Sequence, residues 1–400
     1  MMPRKFLLTC APLALTISGA IALTGLTVRA SDVKRVFVIA MENHNWEQPD
    51  NKFTGGIQQI YQNPAAPFLN SLVEGNIPGL SEDTAFAMAY HNVLATASGN
   101  NLHIHPSEPN YLWAEAGTNF GVLNDNEPYR VPGGTNQETT AHLTTLLTNA
   151  GITWKSYQED IDLTPDAANK LTNVVLPQAQ WSVPLKNLSG VFSGGPVNYW
   201  NGSMQYDYAA KHNPQVFFTD SNGGNDATHD NPLWEQYAPL QQFLIDLSSD
   251  TVADYNWITP NQHNDMHTGL TGGFQTLAGD AARIRQGDFF LSQIIPMIMA
   301  SDAYKNHGVI VLWWDESEKD GVAGDNADRF DHTLPFIIIS KDSARNVEGK
   351  PFASFNNYSH SSFLRTMQEI FRVGPTLGDA ANAEDLADLF KPGSFRKMKP

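Results

Sequence analysis

The sequence predicts an α/β fold with a central, mostly parallel sheet. Short apolar runs of strand length alternate along the chain with segments that have helical spacing, which is the pattern of α/β proteins. The clearest runs are nearly continuous in apolar residues, as in strands that are buried on both faces. The 400 residues contain no internal repeat or low-complexity linker, so we expect a single domain over 31–400.

The first strand is predicted at Arg35–Ala40, where the apolar run suits a strand buried on both faces of a parallel sheet. A short helix follows at 64–75. Residues 84–120 are rich in Asn, His, Ser and Gly, so they are interpreted as a loop, with a helix after Pro109.

The middle of the chain is less regular. Thr139–Ala150 has the spacing of an amphipathic helix that Gly151 ends, and Ile152–Tyr157 has the character of a strand. Residues 160–210 are polar and aromatic without a clear period, which favours an excursion over the sheet, and a cap is expected around 160–250. Within this region, Val216–Phe218 is predicted as a short strand.

The last third alternates between apolar helices and apolar strands. Pro239–Ser248 is predicted as a helix because its leucines and Phe243 recur at helical spacing. Val309–Trp314 is the clearest buried strand. The other elements expected here are strands at Asp254–Thr259 and Phe336–Ser340 and helices at Phe289–Met299, Ser361–Phe371 and Ala383–Phe390.

Residues 1–30 are typical of a secretory signal peptide. Two basic residues precede an apolar run from Phe6 to about Leu26, and Val28-Arg29-Ala30 fits a cleavage site. The length of the run leaves an uncleaved membrane anchor as the alternative. The single cysteine, Cys10, lies in this segment, so the exported chain would form no disulfide. A periplasmic or secreted location is therefore expected.

The net charge is −17 with histidine neutral. A surface this acidic repels nucleic acid, so no nucleic acid partner is expected, and no obligate protein partner is predicted. The same surface would repel a phosphate ester at long range. A phosphate site on this chain therefore needs a local positive charge, which a bound metal ion would supply.

Two predicted strands are followed closely by carboxylate and amide side chains. Glu42 and Asn43 follow the first strand, and Asp315 and Glu316 follow the strand at Val309–Trp314. Open α/β sheets place their sites at the carboxyl ends of strands, and carboxylate and amide oxygens suit a hard divalent cation. The alternatives are a turn or helix cap for the first pair and an exposed loop for the second.

Ser107 lies between two prolines, directly before a predicted helix. Serine is a weak nucleophile until a base or a metal ion activates it. A helix start would aim free N–H groups at an anion, and Asn110 could donate to a phosphate oxygen. The alternative is that Ser107 only caps this helix.

Three further candidates lie in polar segments. Asp265 and His267 follow the strand at Asp254–Thr259, and His332 follows Asp331. A polar surface loop or a packed histidine is the alternative for each of them. His212 and His360 are weaker candidates.

Taken together, these segments resemble the family of bacterial and fungal phosphoesterases that holds acid phosphatases and phospholipases C, within the alkaline phosphatase superfamily. They occur in the order of that family over nearly the whole chain after residue 30. The segments are Met41-Glu42-Asn43, His105-Pro106-Ser107-Glu108-Pro109-Asn110-Tyr111, Trp154 to Asp160, Lys211-His212-Asn213-Pro214, Ile258-Thr259-Pro260-Asn261 running to Asn264-Asp265-Met266-His267, Trp314-Asp315-Glu316, Asp331 to Pro335, and His360-Ser361-Ser362.

The resemblance implies an alkaline phosphatase-like three-layer sandwich and one site that holds a divalent metal ion. Ser107 would be the nucleophile on that ion, and Asn110 would hold a phosphate oxygen. Asp265, His267 and His332 would orient phosphate, protonate the leaving group or form a second metal site. The implied ligands of the first ion are Glu42, Asn43, Asp315 and Glu316.

The expected activity is the hydrolysis of phosphate monoesters through a phosphoserine. The metal is open between Ca²⁺, Mg²⁺ and Zn²⁺, and the small number of histidine ligands favours Ca²⁺ or Mg²⁺ over Zn²⁺. One alternative is a phospholipase C that hydrolyses head-group diesters and touches a lipid surface transiently. The other is a non-catalytic protein that binds a cation or a glycan.

Overall fold

A computed structural model describes residues 33–47, 59–93, 104–317, 333–346 and 348–397. The predicted signal peptide at 1–30 lies outside these residues, as do Asp331 and His332, so these assignments stay predictions. Among the helices that are described, none combines the length and the apolar character needed to cross a membrane.

The described strands form one large sheet and two small hairpins. Eight strands make the large sheet, in the order β12-β2-β11-β10-β1-β9-β3-β8, and β4 pairs with β5 and β6 with β7. The strands are β1 Arg35–Met41, β2 Thr84–His91, β3 Trp154–Gln158, β4 Leu163–Pro165, β5 Leu171–Val175, β6 Leu188–Val191, β7 Gln205–Tyr208, β8 Tyr237–Pro239, β9 Tyr255–Thr259, β10 Gly308–Trp314, β11 Leu334–Ser340 and β12 Phe352–Ser359.

Only β11 runs against its two neighbours in the large sheet, and the other pairs are parallel. Helices α1, α5, α6 and α7 pack on one face, and α2, α3 and α8 pack on the other. The predicted three-layer α/β fold with a mostly parallel sheet is therefore confirmed. The helices are α1 Pro67–Val73, α2 Ser107–Ala116, α3 Leu143–Asn149, α4 Thr219–Asn222, α5 Leu240–Ser249, α6 Gly279–Ala300, α7 Asp302–Lys305 and α8 His360–Phe371.

Strand register brings the acidic segments together. β1 and β10 are buried almost throughout, which explains their apolar sequences, and they pair in parallel with Met41 opposite Trp314. The next residue of each strand therefore leaves the sheet at the same edge and side by side. These residues are Glu42 and Asp315.

Three strands of the large sheet, β2, β8 and β12, arise where the sequence predicted no strand. β2 lies within the stretch interpreted as loop, and β12 pairs with it in parallel. β2 has small residues such as Ala85 and Ala87 and a half-polar end, so its sequence lacks the apolar run of β1. Pairing on both sides, with β11 and β12, makes it a strand.

Two predicted elements are wrong, and several helix boundaries differ from the prediction. Val216–Phe218 is not a strand, because Pro214–Phe217 forms a 3₁₀ turn that starts at the proline. Ala383–Phe390 contains only a short 3₁₀ turn at Ala387–Leu389. Helix α2 begins at Ser107 itself, with Pro106 before it.

The region predicted as a cap divides into two parts. The hairpins β4–β5 and β6–β7 lie between residues 163 and 208, outside the large sheet. β8 and α5, at its far end, belong to the large sheet and to one of its helix layers. The excursion from the sheet is thus narrower than 160–250.

Candidate functional site

A cluster of buried carboxylates lies at the carboxyl edge of the large sheet. Glu42 follows β1, Asp315 and Glu316 follow β10, and Asp265 lies in the loop after β9. All four residues are at most 2% exposed. So many buried acidic groups need protons, hydrogen bonds or a cation to offset the loss of water and their mutual repulsion.

The hydroxyl of Ser107 points into this cluster. Its Oγ lies 3.0 Å from Glu42 Oε2 and 3.3 Å from Glu316 Oε1. The hydroxyl has one proton and two carboxylate oxygens within reach, so either carboxylate can accept that proton. Ser107 is also the first residue of α2, where the helix N–H groups are not yet paired within the helix.

Asn43 links the two acidic segments. Its backbone N–H donates to Asp315 Oδ1 at 3.1 Å, and its side-chain N–H donates to Glu316 Oε1 at 2.9 Å. These bonds leave Asn43 Oδ1 buried without a hydrogen-bond partner. The amide oxygen is therefore available as a ligand for a cation.

Asn110 binds the serine loop to the same cluster. Its side-chain N–H group donates to the carbonyl oxygens of Ile104 and Pro106, at 2.8 and 3.2 Å, and faces Glu316 Oε2 at 3.3 Å. Both amide hydrogens thus have protein acceptors. Its predicted role in holding a phosphate oxygen stays a prediction and requires that the amide exchange one of these partners.

His212 lies between two carboxylates. Its Nε2 is 3.0 Å from Glu42 Oε1 and its Nδ1 is 3.3 Å from Asp265 Oδ2. Neither contact has hydrogen-bond geometry, although all three groups are buried. Tyr111 stacks on the ring of His212 and donates to Glu42 Oε1 at 2.5 Å. A neutral imidazole has one N–H and cannot donate to both acids at once.

The donor set fits a divalent cation. Glu42, His212 and Asp265 each offer one ligand atom within 4.8 Å of the others. In addition, Asp265 Oδ2, Asp315 Oδ2 and Asn43 Oδ1 are buried without hydrogen-bond partners. Oxygen-rich donors with one imidazole suit Ca²⁺, Mg²⁺ or Zn²⁺, so the cluster could hold such an ion.

Burial and mutual repulsion raise the pKa of three carboxyl groups in the cluster. Burial is the main cause that raises the pKa of Glu42, and the neighbouring Asp315 raises it further. Burial likewise raises the pKa of Asp265 and of Asp315. The charge of Lys211 acts in the opposite direction on Glu42 and Asp265. A bound cation would act like Lys211 and favour the ionised carboxylates.

His267 reaches the cluster through His212. The two rings are 5.9 Å apart, and the backbone N–H of His267 donates to Asp265 Oδ1 at 2.8 Å. Burial, with the charges of Lys211 and Arg283, lowers the pKa of His267 to about 3. The imidazole is therefore neutral near pH 7, and a proton-donating role requires a bound phosphate charge to raise its pKa.

His360 holds the segment that carries Asp315. Trp313 Nε1–H donates to His360 Nδ1 at 3.0 Å, so the proton of this neutral ring lies on Nε2. His360 Nε2–H then donates to the carbonyl oxygen of Asp315 at 2.6 Å. Burial lowers the pKa of His360 to about 3, which keeps this tautomer neutral. His360 is a positioning residue.

Residues 26–374 match the Phosphoesterase family. The chain belongs to the phosphoesterase family. Membership agrees with the resemblance found in the sequence and makes the chain a hydrolase of phosphoric ester bonds.

Similar proteins include two phosphatases. A phosphatidylinositol-3-phosphatase of Mycobacterium tuberculosis is 25% identical over 372 residues, which are 93% of this chain and 88% of that protein. An acid phosphatase of Aspergillus fumigatus is 27% identical over 195 residues, which are 48% of this chain and 35% of that protein. Among solved structures, a protein in the alkaline phosphatase superfamily from Vibrio parahaemolyticus is 12% identical; the match has a TM-score of 0.46 and covers 90% of this chain and 72% of that one.

The structure of this phosphoesterase brings together most of the residues singled out in the sequence. Ser107, Asn43 and the four carboxylates touch one another or share partners, while His332 lies outside the described residues. Sequence reasoning gave no role to Tyr111 or Lys211 and ranked His212 low. The signal that could have found them was present, because His212 belongs to a segment of the family resemblance and Tyr111 ends the serine motif.

Proposed function

We propose that this phosphoesterase is an exported, metal-dependent phosphatase that hydrolyses phosphate monoesters through a serine nucleophile. The observation that supports it most is the position of Ser107 Oγ, 3.0 and 3.3 Å from carboxylates that come from opposite ends of the chain. Around it lie buried ligand atoms without partners. Export rests on the signal-like sequence of 1–30.

The proposed reaction has two steps. Ser107 Oγ attacks phosphorus, its proton passes to Glu42 or Glu316, and the bond from phosphorus to the alcohol oxygen breaks as a histidine such as His267 or His332 protonates that oxygen. Water then attacks the phosphorus of the phosphoserine and gives a proton to the same histidine. The bond from phosphorus to Ser107 Oγ breaks, and the protonated glutamate returns its proton to that oxygen, which releases inorganic phosphate. When bound, the divalent cation would lower the pKa of the serine hydroxyl and neutralise phosphate charge. Glu42, Asn43, Asp265, Asp315, Glu316 and His212 would hold it.

Monoesters are the preferred substrate class in this proposal because the serine motif is similar to that of the acid phosphatase branch, and an acid phosphatase is among the similar proteins. The second candidate is a phospholipase C acting on head-group diesters. Comparing hydrolysis of p-nitrophenyl phosphate with that of p-nitrophenyl phosphorylcholine separates them. Faster turnover of the phosphorylcholine ester would favour the second candidate.

Removal of divalent ions should abolish turnover of p-nitrophenyl phosphate, and one of Ca²⁺, Mg²⁺ or Zn²⁺ should restore it. Without the ion, the four buried carboxylates lose the divalent charge that offsets their repulsion, so the melting temperature should also fall. Calorimetry after chelation and after each addition measures the stability effect independently of activity. Full turnover by metal-free protein would contradict metal dependence, and so would turnover that no ion restores. If the protein hydrolyses no phosphate ester but is still stabilised by the ion, the cation-binding alternative is favoured.

Replacing His360 by Phe should weaken metal binding by about tenfold or more, because the donor to the Asp315 carbonyl is lost. His360→Gln is the matched variant, since its side-chain N–H can reach the same carbonyl and should recover part of the affinity. The metal concentration that gives half-maximal turnover is the measurement. Equal metal affinity in wild type and both variants would show that His360 does not position this segment.

A further inference from the structure

A lysine lies beside the acidic cluster and is already paired. Lys211 directly precedes His212, whose ring is 3.0 Å from Glu42. The lysine side chain is 13% exposed, and its Nζ lies 3.2 Å from Asp125 Oδ2. Its ammonium group is therefore held at the rim of the site by a carboxylate from the loop between α2 and α3.

The same carboxylate also accepts a hydrogen bond from the start of the serine helix. The backbone N–H of Glu108, the residue after Ser107, donates to Asp125 Oδ1 at 3.1 Å. Asp125 thus binds an ammonium group and a first-turn N–H of α2 at the same time. Phosphate oxygens use this pair of donors in many proteins, because both carry positive charge or partial charge.

The two partners differ in exposure. The side chain of Asp125 is 33% exposed, whereas that of Lys211 is 13% exposed. Asp125 is thus the more solvent-accessible partner of the pair. The oxygens of a phosphate ester that binds next to Ser107 could accept from Lys211 Nζ and from the Glu108 N–H. The Asp125 carboxylate already occupies both donors.

We propose that Asp125 determines the charge preference of the site, because its carboxylate competes with a phosphate group for Lys211 and the Glu108 N–H. The inference rests on the proposed function for the identity of the substrate. A dianionic monoester is repelled by Asp125 more strongly than a monoanionic ester. Since the second pKa of a phosphate monoester is about 6, Asp125 favours monoester binding on the acid side of neutrality.

The titratable side chains that interact with Asp125 are those of Lys211, from the turn after β7, and Glu108, from α2. Glu42 lies beyond Lys211, next to His212. The Asp125 charge, after that of Glu42, raises the pKa of Lys211, and, after burial, it raises that of Glu108. Comparing a dianionic with a monoanionic ester at one pH keeps the charges of these groups the same for both substrates, so a change in substrate charge preference reports on the charge at position 125.

The test compares Asp125→Asn with wild type on p-nitrophenyl phosphate and on bis(p-nitrophenyl) phosphate, a monoanion. The amide oxygen of Asn can still accept from the Glu108 N–H, but its charge is lost. At about pH 7.5 we expect KM for the dianionic monoester to fall about tenfold and KM for the monoanionic diester to fall only about threefold, because the repulsion scales with substrate charge. The pH optimum of kcat/KM for the monoester should also move upward. Glu127→Gln is the control, since it removes an equal charge two residues away, where Glu127 Oε1 accepts from the Asn187 N–H at 2.9 Å.

Other outcomes overturn the inference. Parallel changes for both esters, an unmoved pH optimum, or the same effect in Glu127→Gln would show that Asp125 only caps α2 or acts through net charge. If wild type hydrolyses no phosphate ester, the proposed function fails, yet titration calorimetry with inorganic phosphate still tests Asp125. Asp125→Asn should then bind phosphate about tenfold more tightly than wild type, and equal affinity would reject the competition.

Discussion

Replacing Ser107 by Ala should abolish hydrolysis of p-nitrophenyl phosphate, with kcat at least about a thousandfold lower. The substitution removes the nucleophilic oxygen and its contacts with Glu42 and Glu316. The fold should be preserved, because the Ser107 side chain makes no capping bond to α2 and alanine is a good helix former. Steady-state rates, a melting curve and trapping of the phosphoenzyme at low pH are the measurements.

Ser292→Ala is the matched control for this prediction. Ser292 lies on α6 and donates only within its own helix, to the carbonyl oxygen of Phe289. Its substitution should leave turnover and phosphoenzyme formation unchanged. Retention of more than about a tenth of the turnover by Ser107→Ala would show that another group is the nucleophile.

Replacing Glu42 by Gln should cost about a thousandfold in kcat/KM and most of the bound metal. Glu42 accepts hydrogen bonds from the hydroxyl groups of Ser107 and Tyr111, and it lies next to His212. An amide at this position cannot reproduce all the contacts of the carboxylate. An amide N–H₂ group would face the donors that now point at an oxygen. Metal content after gel filtration and kcat/KM for p-nitrophenyl phosphate measure the two losses.

Although Glu42→Gln should lose activity and metal, it should not lose stability when wild type and variant are compared without metal. Burial, and then the charge of Asp315, raise the pKa of Glu42 in the folded chain. A carboxylate whose pKa is raised on folding stabilises the protein below its unfolded pKa, and this contribution is lost as pH rises through the folded pKa. Gln does not titrate, so metal-free Glu42→Gln should melt at or above the metal-free wild-type temperature at neutral pH.

Glu115→Gln is the control for the second prediction. Glu115 is equally buried, but it accepts hydrogen bonds from Thr144 and lies 3.1 Å from His142, away from Ser107. Its substitution should lower the melting temperature and leave metal content unchanged. If Glu42→Gln kept its full metal content and full turnover, Glu42 would not be a metal ligand.

Strands that helices cover on both faces are readable from the sequence. β1, β9, β10 and β11 were predicted within a residue or two, because burial on both faces favours a mostly apolar strand. β2 and β12 were missed because small and polar residues interrupt their apolar residues, so that no apolar run marks them as strands. Their extended conformation depends on pairing with neighbouring strands. Helix α6 was found only in its apolar second half, from Phe289 onward.

Some residues of the site could likewise be predicted from the sequence, and others could not. Glu42, Asp315 and Asp265 follow readable strands, and chain order alone places them at one sheet edge. Lys211 and His212 lie on a single 3₁₀ turn after β7, in a region without period, so no local pattern predicts where they point. Asp125 comes from a surface loop whose sequence is typical of turns.

The sequence by itself determined the α/β class, the acidic strand ends and the proline-flanked serine, because these depend on local composition and on the period of apolar residues. Only the tertiary structure decided that His212 lies between Glu42 and Asp265 and that Asp125 pairs with both Lys211 and the start of α2. These contacts join residues tens to hundreds of positions apart. Their distances depend on strand register and helix packing, which the local sequence does not encode.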